Sequence, residues 1–139
     1  MQVFAVDHVV VCGTDEIIAL IRQCAFHPET IEIHSLRDGE EVDEWETVMT
    51  IEGDYADFAH LETIYLGILA RQSRIATNVR RVVKAANGKP VLFFPARYDI
   101  YQTQESDGYA ALVGGIHGFS TDANALAAGG KGLVLSPMH

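Results

Sequence analysis

Arg97 stands three residues beyond the apolar run Val91-Leu92-Phe93-Phe94. A run without polar alternation predicts a strand of a parallel sheet, buried on both faces. Residues just past the C-terminal end of such a strand line the ligand sites of α/β sheets. A guanidinium there suits two-pronged contact with a carboxylate or phosphate; its plain structural alternative is pairing with Asp99. Ser120-Thr121-Asp122 opens a helix, whose free N–H groups can hold an anion or be capped by Ser120 or Thr121. Arg71, Arg74, Arg80 and Arg81 fall on a long helical stretch, where Arg71 and Arg74 are surface neighbours by their spacing. They reach a ligand or partner subunit, or they form a solvated face.

Other chemistries find no support in the spacing. Of His8, His27, His34, His60, His117 and His139, none makes an i, i+4 pair with a third metal ligand in reach. His117, after Gly114-Gly115, is the one histidine in an expected ligand loop. There is no G-x-S-x-G elbow and no Ser-His-Asp order. Gly129-Gly130-Lys131-Gly132 lacks the spacing and the Ser/Thr of a phosphate-binding P-loop. Cys12 and Cys24 fit neither a disulfide framework nor a zinc pattern. The residues alone describe an incomplete anion-binding α/β site.

The chain that must position these groups has 139 residues, 48% of them apolar. That is enough for a core, and fits one domain or one plus a fragment of a second. No apolar stretch approaches the roughly 18 residues of a membrane span, and Met1-Gln2-Val3-Phe4 has no signal-peptide pattern. The expectation is a cytoplasmic protein with ordinary thiols. Residues 1–62 carry 15 acidic and 2 basic side chains, and residues 63–139 carry 4 acidic and 8 basic. A net charge of −9 argues against nucleic acid as a partner; the basic half suits a small anion.

Patterning predicts a strand over 3–11, then a helix begun at Thr14 as N-cap with a stripe of Ile17, Leu20, Ile21 and Cys24. A short strand follows at 31–34, a turn at Arg37-Asp38-Gly39, and a half-buried strand over 45–52 with Thr47, Met49 and Ile51 on one face. Phe58, Leu61, Tyr65 and Ile68 form one helical stripe. Ile75, Val79, Val82, Val83 and Ala86 form another, with a break near Ser73. Asn87-Gly88-Lys89-Pro90 stops the helix. The strand 91–94, a helix over 105–115, a link at 116–119 and an Ala-rich helix to about 128 follow.

Four segments carry a specific resemblance: VCGTDEIIAL (11–20), VMTIEGDYADFAHLETIYLGILARQSRIATNVRRVVKAA (48–86), KPVLFFPARYD (89–99) and DGYAALVGGIHGFSTDANALAAGGKGL (107–133). In these the chain resembles the nicotinate phosphoribosyltransferases, type II phosphoribosyltransferases related to the quinolinate enzymes. The resemblance implies an α+β fold: an α/β-sandwich domain with a helical connection over 1–88, then the first β-α units of an incomplete α/β barrel over 89–133. It implies a glycosyltransferase of NAD biosynthesis with a ligase-like coupling to ATP, joining nicotinate to phosphoribosyl pyrophosphate with magnesium. It also implies a homo-oligomer.

By position in the matching segments, the resemblance makes Arg97 the strand-end arginine of the substrate site. Arg71 becomes the arginine that reaches a neighbouring subunit's site. Gly114, Gly115 and His117 become the glycine-rich loop, and Ser120 and Thr121 the next ligand-side segment. No catalytic residue is assigned. Most of the family's barrel has no counterpart, so the isolated chain is expected to be inactive; the alternative function is a non-catalytic oligomerising or anion-binding domain. Residues 134–139 are expected to be an out-of-frame tail. A one-base slip in one nucleotide string converts the family's Gly-Thr-Val-Pro-His-Ala into Val134-Leu135-Ser136-Pro137-Met138-His139.

Overall fold

The computed structural model describes residues 1–133; the expected out-of-frame tail, 134–139, lies outside the described residues. The described chain is α+β, as expected. Its elements are β1 (Gln2–Phe4), β2 (Val9–Val10), α1 (Thr14–Cys24), β3 (Glu32–Ser35), β4 (Glu41–Val42), β5 (Thr47–Glu52), α2 (Tyr55–Phe58), α3 (Glu62–Ala85), β6 (Leu92–Phe93), α4 (Gln104–Gly114), β7 (Gly118–Phe119) and α5 (Asp122–Ala125). Two compact units divide it, Met1–Arg74 and Ile75–His139. The division falls inside α3, whose second half packs with α4.

In the first unit β5 is the centre of an antiparallel sheet ordered β1-β5-β3. A separate antiparallel pair joins β2 and β4. The expected strand over 3–11 is therefore two strands in two sheets, separated by the exposed Val6-Asp7-His8 corner. The expected half-buried strand over 45–52 is also buried more fully than its alternation suggests. Met49 and Ile51 join the core with Ile17, Ile21, Phe58, Leu61 and Tyr65. Val48, on the opposite face, joins a second cluster with Ala5, Val11 and Val42, while Thr47 is exposed. Tyr65 is fully buried, and burial pushes its hydroxyl up to about 12.

Helix α1 begins one residue earlier than its sequence suggests. Gly13 is the N-cap, and the capping oxygen is remote: Asp38 Oδ1 accepts from the Thr14 N–H (2.9 Å) and hydroxyl (2.8 Å). A carboxylate at a helix start meets both the unpaired N–H groups and the positive end of the dipole. The break expected near Ser73 is absent: α3 is continuous there, and the irregular turn lies at Ala59–Leu61. Ser73 stays helical because its hydroxyl is used sideways, accepting from Cys12 N (3.0 Å) and donating to Cys12 O (3.2 Å).

In the second unit β6 and β7 form a two-stranded parallel sheet joined by α4, and α5 follows β7. These are two β-α units, and the described residues close no barrel. The core is Val79, Ala111, Phe119 and Ala125, with Ile75, Val83 and Phe93 against it. Leu92 and Phe94 are 44% and 43% exposed, so the run 91–94 is not buried on both faces. Only its Phe93 side has a described layer to pack on. No helix among the described residues is long and apolar enough to cross a membrane.

Candidate functional site

The candidate site is the C-terminal edge of the β6–β7 pair, and its support begins at the far end of α4. The last four carbonyls of a helix have no partner within it. In α4 all four are taken. Ile116 N donates to Ala111 O (3.1 Å) and Gly115 N to Leu112 O (2.9 Å). Arg80 donates through Nη2 to Val113 O (3.0 Å) and through Nε to Gly114 O (3.1 Å). The guanidinium thus completes the cap and places a positive charge at the negative end of the dipole. Arg80, a candidate for a ligand or a solvated face by sequence, is a helix cap.

The two glycines have separate structural tasks. Gly115 has φ 100, the left-handed turn that ends α4. At Gly114 a Cβ would lie 2.7 Å from Val79 Cβ and 2.8 Å from Ala76 O, so the absence of a side chain lets α4 approach α3. The turn delivers the chain to β7. There His117 N donates to Val91 O (3.1 Å), and its Nδ1 accepts from Val91 N (3.3 Å). His117 is exposed and lies beside the start of β6. In a parallel pair that is the end opposite Ser120.

Ser120 follows β7 directly, and its N–H donates to Phe93 O (3.0 Å), so it stands at the C-terminal end of both strands. Thr121 caps α5: its hydroxyl accepts from Asn124 N (3.2 Å) and donates to Asn124 Oδ1 (2.7 Å). Asn124 is fully buried and its Nδ2 donates to Gln104 O (2.6 Å), tying the start of α5 to the start of α4. The loop that links β6 to α4 leaves from this same edge. Ser120 Oγ and Gln104 Oε1 are the two buried side-chain polar atoms without a partner among the described residues. A buried polar atom is normally bonded, so this edge is where the unit's polar capacity is unspent.

Arg97 lies in the β6–α4 loop, in a turn closed by Tyr98 N and Asp99 N on Pro95 O (2.9 and 3.1 Å). It is exposed, and its φ is 81, a left-handed conformation shared by Trp45 and Asn87 among non-glycine residues. The sequence expectation of a strand-end arginine past a parallel strand matches its place in the chain; no described residue encloses it. Arg71 is on α3, half-buried, in the first unit. The structure thus gathers Ser120 and Thr121 with Gln104 and Asn124, and puts Gly114, Gly115 and His117 at the opposite end of the strands. Asn124 had no clear sequence signal, since the capping box calls for Glu or Gln three residues after the threonine. Gln104 had none, because only tertiary packing turns the start of α4 toward the end of β7.

The first unit offers no nucleophile at its buried cysteine. Cys12 is fully buried, and its thiol is pushed up to about 12 by desolvation and then by the charge of Asp38. Its Sγ donates to Gln72 Oε1 (3.7 Å), and Gln72 Nε2 donates to Glu16. Among the described residues no group of three or more His, Cys, Asp and Glu side chains could hold a metal ion.

The model of the quinolinate phosphoribosyl transferase N-terminal domain matches residues 1–73. Among solved structures, nicotinate-nucleotide pyrophosphorylase from Pyrococcus furiosus is 32% identical with a TM-score of 0.84, covering 94% of this chain and 32% of that one. NadC from Streptococcus pyogenes is 18% identical (TM-score 0.71; 92% and 49% covered). Human nicotinic acid phosphoribosyltransferase is 15% identical (TM-score 0.79; 94% and 32% covered). The last two show a shared fold. Nothing matches among curated proteins. The chain spans about a third to a half of the length of these structures. The resemblance read from the sequence pointed to the nicotinate branch; the matching model is that of the related quinolinate enzymes. With the family model covering more than half of its residues, the chain belongs to the quinolinate phosphoribosyl transferase N-terminal domain family.

Proposed function

We propose that the chain is part of a phosphoribosyltransferase of NAD biosynthesis, acting in the cytoplasm, whose second unit contributes to the binding of an anionic pyridine substrate and phosphoribosyl pyrophosphate. The observation that carries this reading is the unpartnered Ser120 Oγ at the C-terminal end of the parallel pair, the edge where α/β sheets bind ligands. A hydroxyl there can donate to a carboxylate or phosphate oxygen. Arg97, in the loop from the neighbouring strand, supplies the charge such an oxygen needs. Its left-handed backbone supports the assignment, because strain of this kind collects at ligand clamps. Thr121 shapes the segment as a cap. Gly114, Gly115 and His117 support β7 from its other end.

Nicotinate is the proposed pyridine, giving nicotinate mononucleotide and pyrophosphate, and a second copy is proposed to receive Arg71 at its site. Both rest on the resemblance, as do magnesium and ATP. The described residues hold no group of three or more His, Cys, Asp and Glu side chains that could bind the magnesium.

The test is a nuclear magnetic resonance titration of the 139-residue chain with nicotinate, quinolinate and phosphoribosyl pyrophosphate. Shifts are expected at Ser120 and Gln104, lost in Arg97→Ala. Nicotinate moving these signals at lower concentration than quinolinate would support the finer assignment, and the reverse order would assign the quinolinate reaction. Turnover by the isolated chain is not expected, since positioning supplies much of the rate and the described parallel sheet has two strands. Absence of shifts at this edge with every ligand would refute the proposal.

A further inference from the structure

Trp45, the single tryptophan of the chain, is 65% exposed. Its ring centroid is 5.3 Å from that of Phe4, which is 46% exposed, and Val6 nearby on the same strand-to-corner segment is 64% exposed. The turn that carries the indole is held from several sides. Trp45 N donates to Ala5 O (2.8 Å), Ala5 N to Glu46 O (3.0 Å), Glu46 N to Asp43 O (3.2 Å) and Asp43 N to Glu46 Oε2 (2.7 Å). Within it Trp45 has φ 69, a conformation that bulky residues avoid and glycine adopts freely. The turn itself would be met better by glycine. What tryptophan adds is an exposed aromatic face, carried on a hydrogen-bonded turn and paired with Phe4.

The setting of that face is acidic. Asp43, Glu44 and Glu46 flank Trp45, and Asp7 follows Val6. No lysine or arginine occurs between Arg37 and Arg71. His8, two residues past Val6, is already bonded through Nδ1 to Asp43 (2.8 Å). An indole face attracts a lysine or arginine head group, and does so more strongly where carboxylates surround it. The apolar stems of those side chains lie well on exposed aromatic rings. Rigid presentation lowers the entropy lost on binding.

From these features we infer that the Phe4–Trp45 face docks a basic, apolar-flanked segment of a partner protein, with an arginine or lysine head group over the indole. The site lies in the first unit and is independent of the proposed substrate edge. Sole possession of tryptophan makes it self-reporting.

The experiment titrates the full chain with a short capped peptide of alternating leucine and arginine, and with its citrulline analogue, which is neutral. Trp45 emission and calorimetry give the affinity. Arginine-dependent binding is expected, weakening as salt rises. Glu44→Lys and Phe4→Ala, both at exposed positions, should weaken it, and Trp45→Gly, read by calorimetry, should weaken it about two- to fivefold. Three results would each overturn the inference. One is equal binding of the citrulline peptide. The second is undiminished binding in Trp45→Gly and Phe4→Ala, which would mark general attraction to an acidic chain. The third is an emission change produced by raising protein concentration alone, which would make a second copy the occupant.

Discussion

Arg80 should matter to stability through its cap on α4, and replacing it by methionine tests why. Methionine keeps most of the apolar stem and the helix propensity of α3 but removes both donors. Val113 O and Gly114 O then lose their partners. A hydrogen bond to a charged donor contributes about 1.5–3 kcal/mol, and a buried carbonyl left alone costs about 1–3 kcal/mol. Gly114 is buried, whereas Val113 and Arg80 are half-exposed, so water replaces part of the loss. A net destabilisation of about 2–3 kcal/mol follows, with loss of the charge–dipole term inside that figure. For a chain of this size the thermal midpoint should fall by about 10 °C. Arg81→Met, at an exposed neighbouring position, serves as the control and should stay within about 0.5 kcal/mol. Amide hydrogen exchange is the sharper assay, because it reads the loss residue by residue. Protection should drop at residues 115–120, while the amides of β1 and β5 keep theirs. Equal stability of the two variants, or uniform loss of protection along the chain, would refute the capping argument.

Glycines should separate by their surroundings. Gly108→Ala places a Cβ 2.1 Å from Asn124 O and should destabilise by about 1–3 kcal/mol as α4 and α5 are forced apart, whereas Gly67, with nothing within 4 Å of such a Cβ, should gain about 0.5–1 kcal/mol as alanine; denaturant midpoints decide. His27 has its ionisation raised above the usual 6.5, chiefly by its hydrogen bond to Asp57 and then by that carboxylate's charge. The pair's contribution is therefore fully present below pH 6.5 and disappears as pH rises through the folded-state value. Asp57→Asn should remove this dependence and lower the His27 midpoint in a proton resonance titration; an unchanged midpoint would refute it. Thiol reagents should modify the exposed Cys24 rapidly and Cys12 only as fast as the protein opens. Two equally fast thiols would contradict the burial of Cys12.

Local chemistry made much of this protein readable from its residues. The stripe of Ile17 and Ile21 marked α1, and Phe58, Leu61 and Tyr65 marked the core side of the α2–α3 region, because burial needs apolar side chains at helical spacing. Asn87-Gly88-Lys89-Pro90 marked the end of α3, and the apolar run before Arg97 marked the parallel strand. What stayed hidden was every feature supplied by a distant segment. Asp38 caps α1 across 24 residues of sequence, and Ser73 bonds Cys12 across 61, inside a continuous helix whose own sequence reads as broken. Arg80 closes α4 from α3, so its role depends on a helix end more than thirty positions away. At the candidate edge, residue type and strand order point to Arg97 and Ser120, since both follow strands. Gln104 enters only because Asn124 ties the beginnings of two helices together. Hydrophobic periodicity reports what a segment buries; which polar group meets which is decided by the packing that brings segments together.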